Sequence, residues 1–417
     1  MTIQSCTRSA LALFGLATAA LAGPACALPE CARPSYDEAE CRVIAENEHA
    51  RLLTAEGVEV RFLPAGARRM DPWDATGLVA AREDGSVDAR VAGLGNFTLA
   101  VERASDGPES VTVHLSNLDS AAAITLGPRD APIRLPITAA GQTTRTLEVA
   151  LPDADPVFIE GTRSCPDRYR IAVMSDIQTN PDQFKRIVEV LRDEWDDANL
   201  TGQPLVGLVV PGDVTESSRD EEFALVHEIL RGLPFPVAVT PGNHDIFRPG
   251  RPHFTRNFGP GNHTFSVCRT HVALLDSGSG AIAPSVEARL PELLDRGEAD
   301  FSVVGMHHPP YAGWTGSGWS REDQAARLLV EAAIADVDLI VAGHSHSLVD
   351  FPDIPVGNTT LREIIAGTAG ANQGVGVPRY GYVRLTFGET VAACFVEVPP
   401  PGYAEPPNPA PRLGRCP

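Results

Sequence analysis

Pro241-Gly242-Asn243-His244-Asp245 follows the apolar run Pro236-Val237-Ala238-Val239-Thr240. A run of that length reads as a buried strand. Glycine just past its C-terminal end allows a sharp turn. The turn sets an amide, an imidazole and a carboxylate side by side, at the edge where open α/β sheets bind ligands. An Asn alone suits any turn, and a His alone is commonly packed or on the surface. Together after a strand they direct a search for other strand ends that carry metal-ligating side chains.

Four more are present. Ile171-Ala172-Val173-Met174-Ser175 leads into Asp176-Ile177-Gln178, and Leu208-Val209-Val210-Pro211-Gly212 leads into Asp213. Ser302-Val303-Val304-Gly305-Met306 leads into His307-His308-Pro309-Pro310, and Leu339-Ile340-Val341-Ala342-Gly343 leads into His344-Ser345-His346. Between them lie helical patterns. Phe184, Ile187, Val188 and Leu191 share one face of a segment from Asp182 to Asn199, and Phe223, Leu225, Val226 and Ile229 do so between Arg219 and Leu230. Ser320 to Ala335 opens on Ser320-Arg321-Glu322-Asp323, which has the form of a capping box. Strand–helix alternation predicts α/β layering. Extended pieces at Thr264–Val267, Val272–Leu275, Tyr380–Thr386 and Val391–Val398 add antiparallel character.

The strand ends gather Asp176, Gln178, Asp213, Asn243, His307, His344 and His346. Carboxylates, imidazoles and amide oxygens suit two divalent or trivalent first-row ions, such as Mn, Fe or Zn. A shared carboxylate would hold two ions about 3.5–4 Å apart. One such motif is weak; five in order, each closing an apolar strand, are specific.

These motifs are similar to those of the calcineurin-like metallophosphoesterases, whose pattern is D-x-H, G-D, G-N-H-[DE], H and G-H-x-H. The resemblance covers about residues 168–398. It implies a four-layer α/β/β/α sandwich. It also implies one ion on Asp176, Gln178, Asp213 and His346, and a second on Asp213, Asn243, His307 and His344, with Asp213 as the bridge. His244 would face the substrate as acid or charge stabiliser, oriented by Asp245. The sequence departs from the pattern at Gln178, where the family usually has His. A neutral amide oxygen is a weaker ligand than imidazole. The first ion would then be held less tightly or be oxygen-preferring; the site would work with one ion; or activity would be lost and binding kept.

The chemistry so implied is hydrolysis of a phosphomonoester or phosphodiester. A water between the ions, made more acidic by them, would attack phosphorus in line, and His244 would protonate the leaving oxygen. His308, beside His307, is expected in a supporting position or at the rim. The Gly-rich loop after Pro310 offers Tyr311, Trp314 and Trp319 either to line a substrate cleft or to cap the following helix. Gly261-Asn262-His263 repeats G-N-H, but Thr264 follows instead of an acid, and the segment reads as a turn entering a hairpin.

Outside this region the chain reads differently. Residues 1–27 have Arg8, an apolar run from Ala10 to Gly23 and Ala25-Cys26-Ala27, the form of a cleaved export signal. The run is shorter than the roughly 20 residues that span a bilayer. A periplasmic or secreted protein with no transmembrane segment after signal removal is expected. Six cysteines remain, Cys31, Cys41, Cys165, Cys268, Cys394 and Cys416, an even number that suits disulfides. Cys31–Cys41 is the nearest pair, and the other pairings stay open. Residues 28–163 show alternating strands at 86–91, 97–101, 110–115 and 145–149 separated by turn residues, a β-sandwich-like accessory domain. Such a domain could attach to a surface or glycan. The phosphoesterase-like part spans 165–398, and the Pro-rich residues 399–417 form a tail.

The formal charge of −20 argues against a nucleic-acid-binding surface, whereas bound cations would still attract a small phosphoester. No H-E-x-x-H helix suggests a metalloprotease. The alternative to an enzyme is a catalytically weak or inactive, metal-stabilised protein that binds a surface or polysaccharide.

Overall fold

The computed structural model describes residues 38–64, 75–104, 106–136, 139–153, 155–247, 253–311, 313, 315–316, 318–371, 379–402 and 413–416. The expected signal, Cys31, Trp314 and most of the Pro-rich tail lie outside them.

Two sheets form the α/β half. The first runs, in spatial order, Val237–Thr240, Leu205–Pro211, Tyr169–Val173, Gly381–Phe387 and Val391–Glu397. Its first three strands are parallel and the last two join antiparallel. The second runs His263–Val267, Thr270–Leu275, Phe301–Met306, Leu339–Ala342, Thr359–Ala366 and Leu348–Val356. Its four inner strands are parallel and both edges antiparallel.

Strand side chains alternate between faces, and the apolar clusters follow that alternation. Tyr169, Ile171 and Val173 meet Val272, Leu274, Val303 and Val341 of the other sheet. Ala172 and Met174, on the opposite face, meet Phe184, Ile187 and Leu191 of the helix Pro181–Leu200 and Phe223 of the helix Asp220–Leu230. On the outer face of the second sheet, Ala273, Val304 and Ile340 pack against Leu328 and Ala332 of the helix Glu322–Ile334. Helix, sheet, sheet, helix: this is the four-layer sandwich. The third helix starts two residues later than its sequence suggests. Ser320 Oγ donates to the Gly280 carbonyl at 2.9 Å, and Arg321 is the N-cap without a side-chain capping bond, so the expected capping box does not form.

The N-terminal strands make two sheets. One orders Arg51–Leu53, Val58–Leu63, Phe97–Arg103, Val157–Thr162, Ala123–Gly127 and Ile133–Arg134. The other orders Gly77–Ala81, Val87–Val91, Ser110–Ser116 and Thr144–Ala150. Val60, Leu99 and Ile159 of one meet Val87, Val113 and Val149 of the other. An unexpected helix, Glu38–His49, precedes them, and its Ala39 and Val43 pack into the outer cluster of the second α/β sheet. Disulfides join Cys165 to Cys268 and Cys394 to Cys416. Leu413 is buried between the α/β sheets, so the end of the chain is held by packing as well as by Cys416.

Candidate metal centre

The five strand ends meet at one edge of the sandwich. Asp176, Asp213, His344 and His346 all adopt left-handed backbone, with φ of 61°, 55°, 69° and 47°. Non-glycine residues occupy that region rarely, and such strain concentrates at functional sites. Two glycines are required by close approach. A side chain on Gly242 would collide with the Asp213 carboxylate, and one on Gly343 would meet Ser175 and lie 2.6 Å from Asp176 Oδ2.

Buried bonds fix the ligating groups. Ser175 Oγ donates to the Pro211 carbonyl at 2.8 Å, tying the first two strand ends together. The Asp176 carboxylate accepts from the His344 backbone N–H, at 3.1 and 3.0 Å to its two oxygens. Asp213 Oδ1 accepts from the His244 backbone N–H at 2.9 Å, leaving Oδ2 3.2 Å from His307 Nε2 and 2.9 Å from Gln178 Nε2. Asn243 Oδ1 lies 3.0 Å from His307 Nε2 and 3.1 Å from His344 Nδ1. His346 Nε2 lies 3.3 Å from Asp176 Oδ1 and 3.2 Å from Gln178 Nε2. All seven residues expected as ligands are therefore in one cluster.

The charges are strongly coupled. Burial pushes Asp213 up, but the His307 imidazole beside it overcomes this and holds the carboxyl at about 2. Burial likewise opposes charge on His307, yet Asp213 and Asp176 raise it to about 9. His344 is pushed down to about 4 by burial and by His307. Asp176 is raised, chiefly by burial.

The donor set fits cations. His307 Nδ1 donates to the Pro211 carbonyl at 3.1 Å, an arrangement that presents the other ring nitrogen as a ligand. Asn243 Oδ1, His307 Nε2, His344 Nδ1 and Asp213 Oδ2 crowd together, and a cation there would replace the proton that His307 otherwise shares with Asp213. Asp176, Asp213 and His346 form one group with metal-holding spacing, and His307, His308 and His344 a second. Gln178 Oε1 is buried with no hydrogen-bond partner among the described residues. Turning the amide over would bring that oxygen to the Asp213 and His346 side, which is how a ligating Gln must sit.

The supporting residue Asp245 departs from expectation. Asp245 does not touch the His244 ring. Its carboxylate accepts from Gly242 N (2.9 Å), Val214 N (3.2 Å), Thr215 N (2.9 Å) and Thr215 Oγ1 (2.9 Å), so it ties two ligand loops together. Burial, then Asp213, raise it to about 6. His244 is instead oriented by Nδ1 donating to the Glu216 carbonyl at 2.7 Å. His308 is buried rather than at the rim. Its ring centroid lies 4.2 Å from that of His344 and 5.0 Å from that of His307, and burial and those rings push it down to about 2. Of the described rings of the aromatic loop, Trp319 is buried with Nε1 donating to the His308 carbonyl at 3.0 Å, and Tyr311 packs edge-on against Phe351.

Sequence reasoning missed the parts supplied by backbone. The Glu216 and Pro211 carbonyls orient His244 and His307, and no side-chain pattern announces a carbonyl. It also missed the role of Gly261-Asn262. That turn does enter a strand, as expected, but its two N–H groups and the Asn262 amide donate to the buried Glu46 carboxylate of the N-terminal helix.

With this geometry the chain can be placed among known proteins. Residues 169–348 match the family model described as calcineurin-like phosphoesterase. A curated relative, the glycerophosphodiester phosphodiesterase GpdQ of Enterobacter lignolyticus strain SCF1, is 30% identical over 118 residues. The match spans 25% of this chain and 41% of that relative, less than half its length. Among solved structures, the purple acid phosphatase PPD1 of yellow lupin (Lupinus luteus) aligns at 11% identity with a TM-score of 0.43, covering 83% of this chain and 89% of that one. A structure of PhoD aligns at 11% identity with a TM-score of 0.45, covering 72% and 86%.

Proposed function

We propose that this protein is an exported, metal-dependent phosphoesterase. The observation that carries the reading is the convergence of Asp176, Gln178, Asp213, Asn243, His307, His344 and His346 in one buried to half-buried cluster with His244 beside it. Asp176, Gln178, Asp213 and His346 would hold one cation; Asp213, Asn243, His307 and His344 would hold the other. Bound Mn, Fe or Zn would neutralise phosphate charge and acidify a water.

The chain's own residues then divide the work. Asp213 serves both ion positions, and its other oxygen anchors the His244 backbone. With Nδ1–H given to the Glu216 carbonyl, a protonated His244 offers Nε2–H to the departing ester oxygen. Asp245 keeps the loops of Asp213 and Asn243 in register. The named relative is a phosphodiesterase, which supports a diester as the first substrate to try, with monoesters beside it. Export is supported by two disulfides, and no helix among the described residues is long and apolar enough to cross a membrane.

The test is to strip the protein with a chelator, reload it separately with Mn, Fe or Zn, and assay bis-p-nitrophenyl phosphate and p-nitrophenyl phosphate. Elemental analysis gives the ions per chain. Turnover that follows metal content supports the proposal. A folded, metal-loaded protein that hydrolyses neither ester points to the non-enzymatic binding protein.

A further inference from the structure

Among the described residues of the loop after Pro310, Tyr311 packs against Phe351 and Trp319 is buried, which directs the search for an apolar contact to the other side of the site. Phe247 is 53% exposed. It is the only aromatic residue among the large exposed hydrophobic side chains of the described residues; the others are aliphatic: Leu53, Ile133, Leu200, Leu225, Val330 and Ile334. A single exposed apolar residue is ordinary on any protein surface. This one differs in its neighbour. Its ring centroid lies 4.6 Å from that of His244, at an interplanar angle of 57°.

The turn that carries it is tied down at Asp245. Phe247 closes the single 3₁₀ turn His244–Ile246. Within that turn Asp245 is fixed by bonds to Gly242, Val214 and Thr215, and its carbonyl accepts from Ser218 Oγ at 2.7 Å. The ring is therefore held next to the imidazole without being buried by it. A binding site gains most from a side chain that is fixed before the ligand arrives.

We propose that Phe247 is a substrate-contacting residue, forming the apolar wall of the subsite that receives the ester substituent, and that the site therefore favours phosphoesters with an aromatic or flat apolar group over those with a small alkyl group. The proposal rests on the phosphoesterase reading above. Phosphate would be held by the metal cluster, and the substituent on the oxygen next to His244 would lie along the Phe247 ring. Aromatic contact of this kind contributes about 0.5–1.5 kcal/mol beyond area burial, so a preference of about three- to tenfold is expected.

The experiment compares phenylphosphonate with methylphosphonate as ligands of the metal-loaded protein, by calorimetric titration and by inhibition of bis-p-nitrophenyl phosphate hydrolysis. Wild type should bind the phenyl compound about three- to tenfold more tightly. Phe247→Ala should remove most of that ratio while methylphosphonate affinity and metal content stay unchanged, and Phe247→Tyr should keep it. If Phe247→Ala lowers turnover but leaves the phenyl-to-methyl ratio as in wild type, Phe247 only braces His244 and the proposal is overturned. If wild type binds neither phosphonate and hydrolyses no ester, the phosphoesterase reading fails, and the subsite with it.

Discussion

Leu94 belongs to the N-terminal strands by sequence, yet it is 1% exposed and packs between the two α/β sheets, in one cluster with Val206, Val209, Phe265 and Val267. Gly207 makes the room: a Cβ there would lie 2.7 Å from Leu94 Cδ2. On either side, Gly93 lies against the Phe265 ring, and the Asn96 N–H donates to the Ser266 carbonyl at 3.2 Å. Leu94→Ala removes a branched apolar end from a site walled by strand backbone, which can collapse little. Leu→Ala changes in such sites cost about 2.7–5 kcal/mol. With about 2–4 °C of melting temperature per kcal/mol for units of this size, a drop on the order of 5–20 °C is expected. Calorimetry should show it in the main transition, that of the α/β sandwich. Val113→Ala, inside the N-terminal sandwich, marks which transition belongs to those strands. The reasoning is refuted if Leu94→Ala leaves the α/β transition within about a degree of wild type and moves only the transition that Val113→Ala also moves.

His244→Ala should leave metal content unchanged, because the bond to Asp213 Oδ1 comes from the His244 backbone N–H, while turnover falls about 10²–10⁴-fold; elemental analysis beside kinetics checks both halves. Gln178→His replaces an amide oxygen with an imidazole and should raise affinity for one ion of the pair, read by chelator competition; an unchanged affinity would remove Gln178 from the ligand set. Glu363 is fully buried, accepts one bond from the Tyr311 N–H at 3.1 Å, and is raised by burial to about 8. Its folded form keeps a proton that the unfolded chain has lost above about 4.5. Wild-type stability should therefore fall as pH rises from about 5 to 8, by at most about 1.4 kcal/mol per unit from this group. Glu363→Gln should flatten that slope in urea titrations; an unaltered slope would show that the group ionises normally.

Five strands of the α/β half were legible because each ends in chemistry. Met174 to Asp176 or Ala342 to His344 combine a buried apolar run with a polar turn, and neither half of that signal needs the rest of the chain. The hairpin Leu348–Val356 and Thr359–Ala366 left no such mark, since Pro352 and Pro355 interrupt the first strand and exposed Asp353 and half-buried Arg362 dilute the pattern. The helix Glu38–His49 was missed for a different reason. Its contact with the α/β half is mostly polar: Arg42 pairs with Asp276, Glu46 accepts from Asn262, and only Ala39 and Val43 enter the apolar cluster. Partners 215 to 234 positions away in the chain cannot be read from a helical face. The aromatic loop after Pro310 stayed open between two readings for a related reason, because position next to a ligand does not tell which way a ring turns.

These polar contacts also bear on what the N-terminal residues do for the site. Val237 begins the edge strand of the first α/β sheet, and an open edge offers unpaired backbone groups. Asn117 closes it as a strand would: its Oδ1 accepts from the Val237 N–H at 2.8 Å, and its Nδ2 donates to the Val237 carbonyl at 2.9 Å. Arg90, half-buried, donates to the same carbonyl at 3.1 Å and to the Phe258 carbonyl at 2.7 Å. Asn96 does the corresponding job at Ser266, on the edge of the second sheet. The helix reaches closer still. Gly261, held by Glu46, abuts Pro241, and beyond the Arg42–Asp276 pair Ser277 Oγ accepts the His308 N–H at 2.9 Å. The loop Pro241–Asp245 thus hangs from a strand whose start is fixed by Asn117 and Arg90, and leans on turns fixed by Arg42 and Glu46. Strained ligands such as Asp213 and His344 hold their backbone only where the surroundings over-determine it. The N-terminal residues supply part of that surrounding, so cutting the chain near residue 165 would expose both sheet edges and free the loop that carries Asn243 and His244.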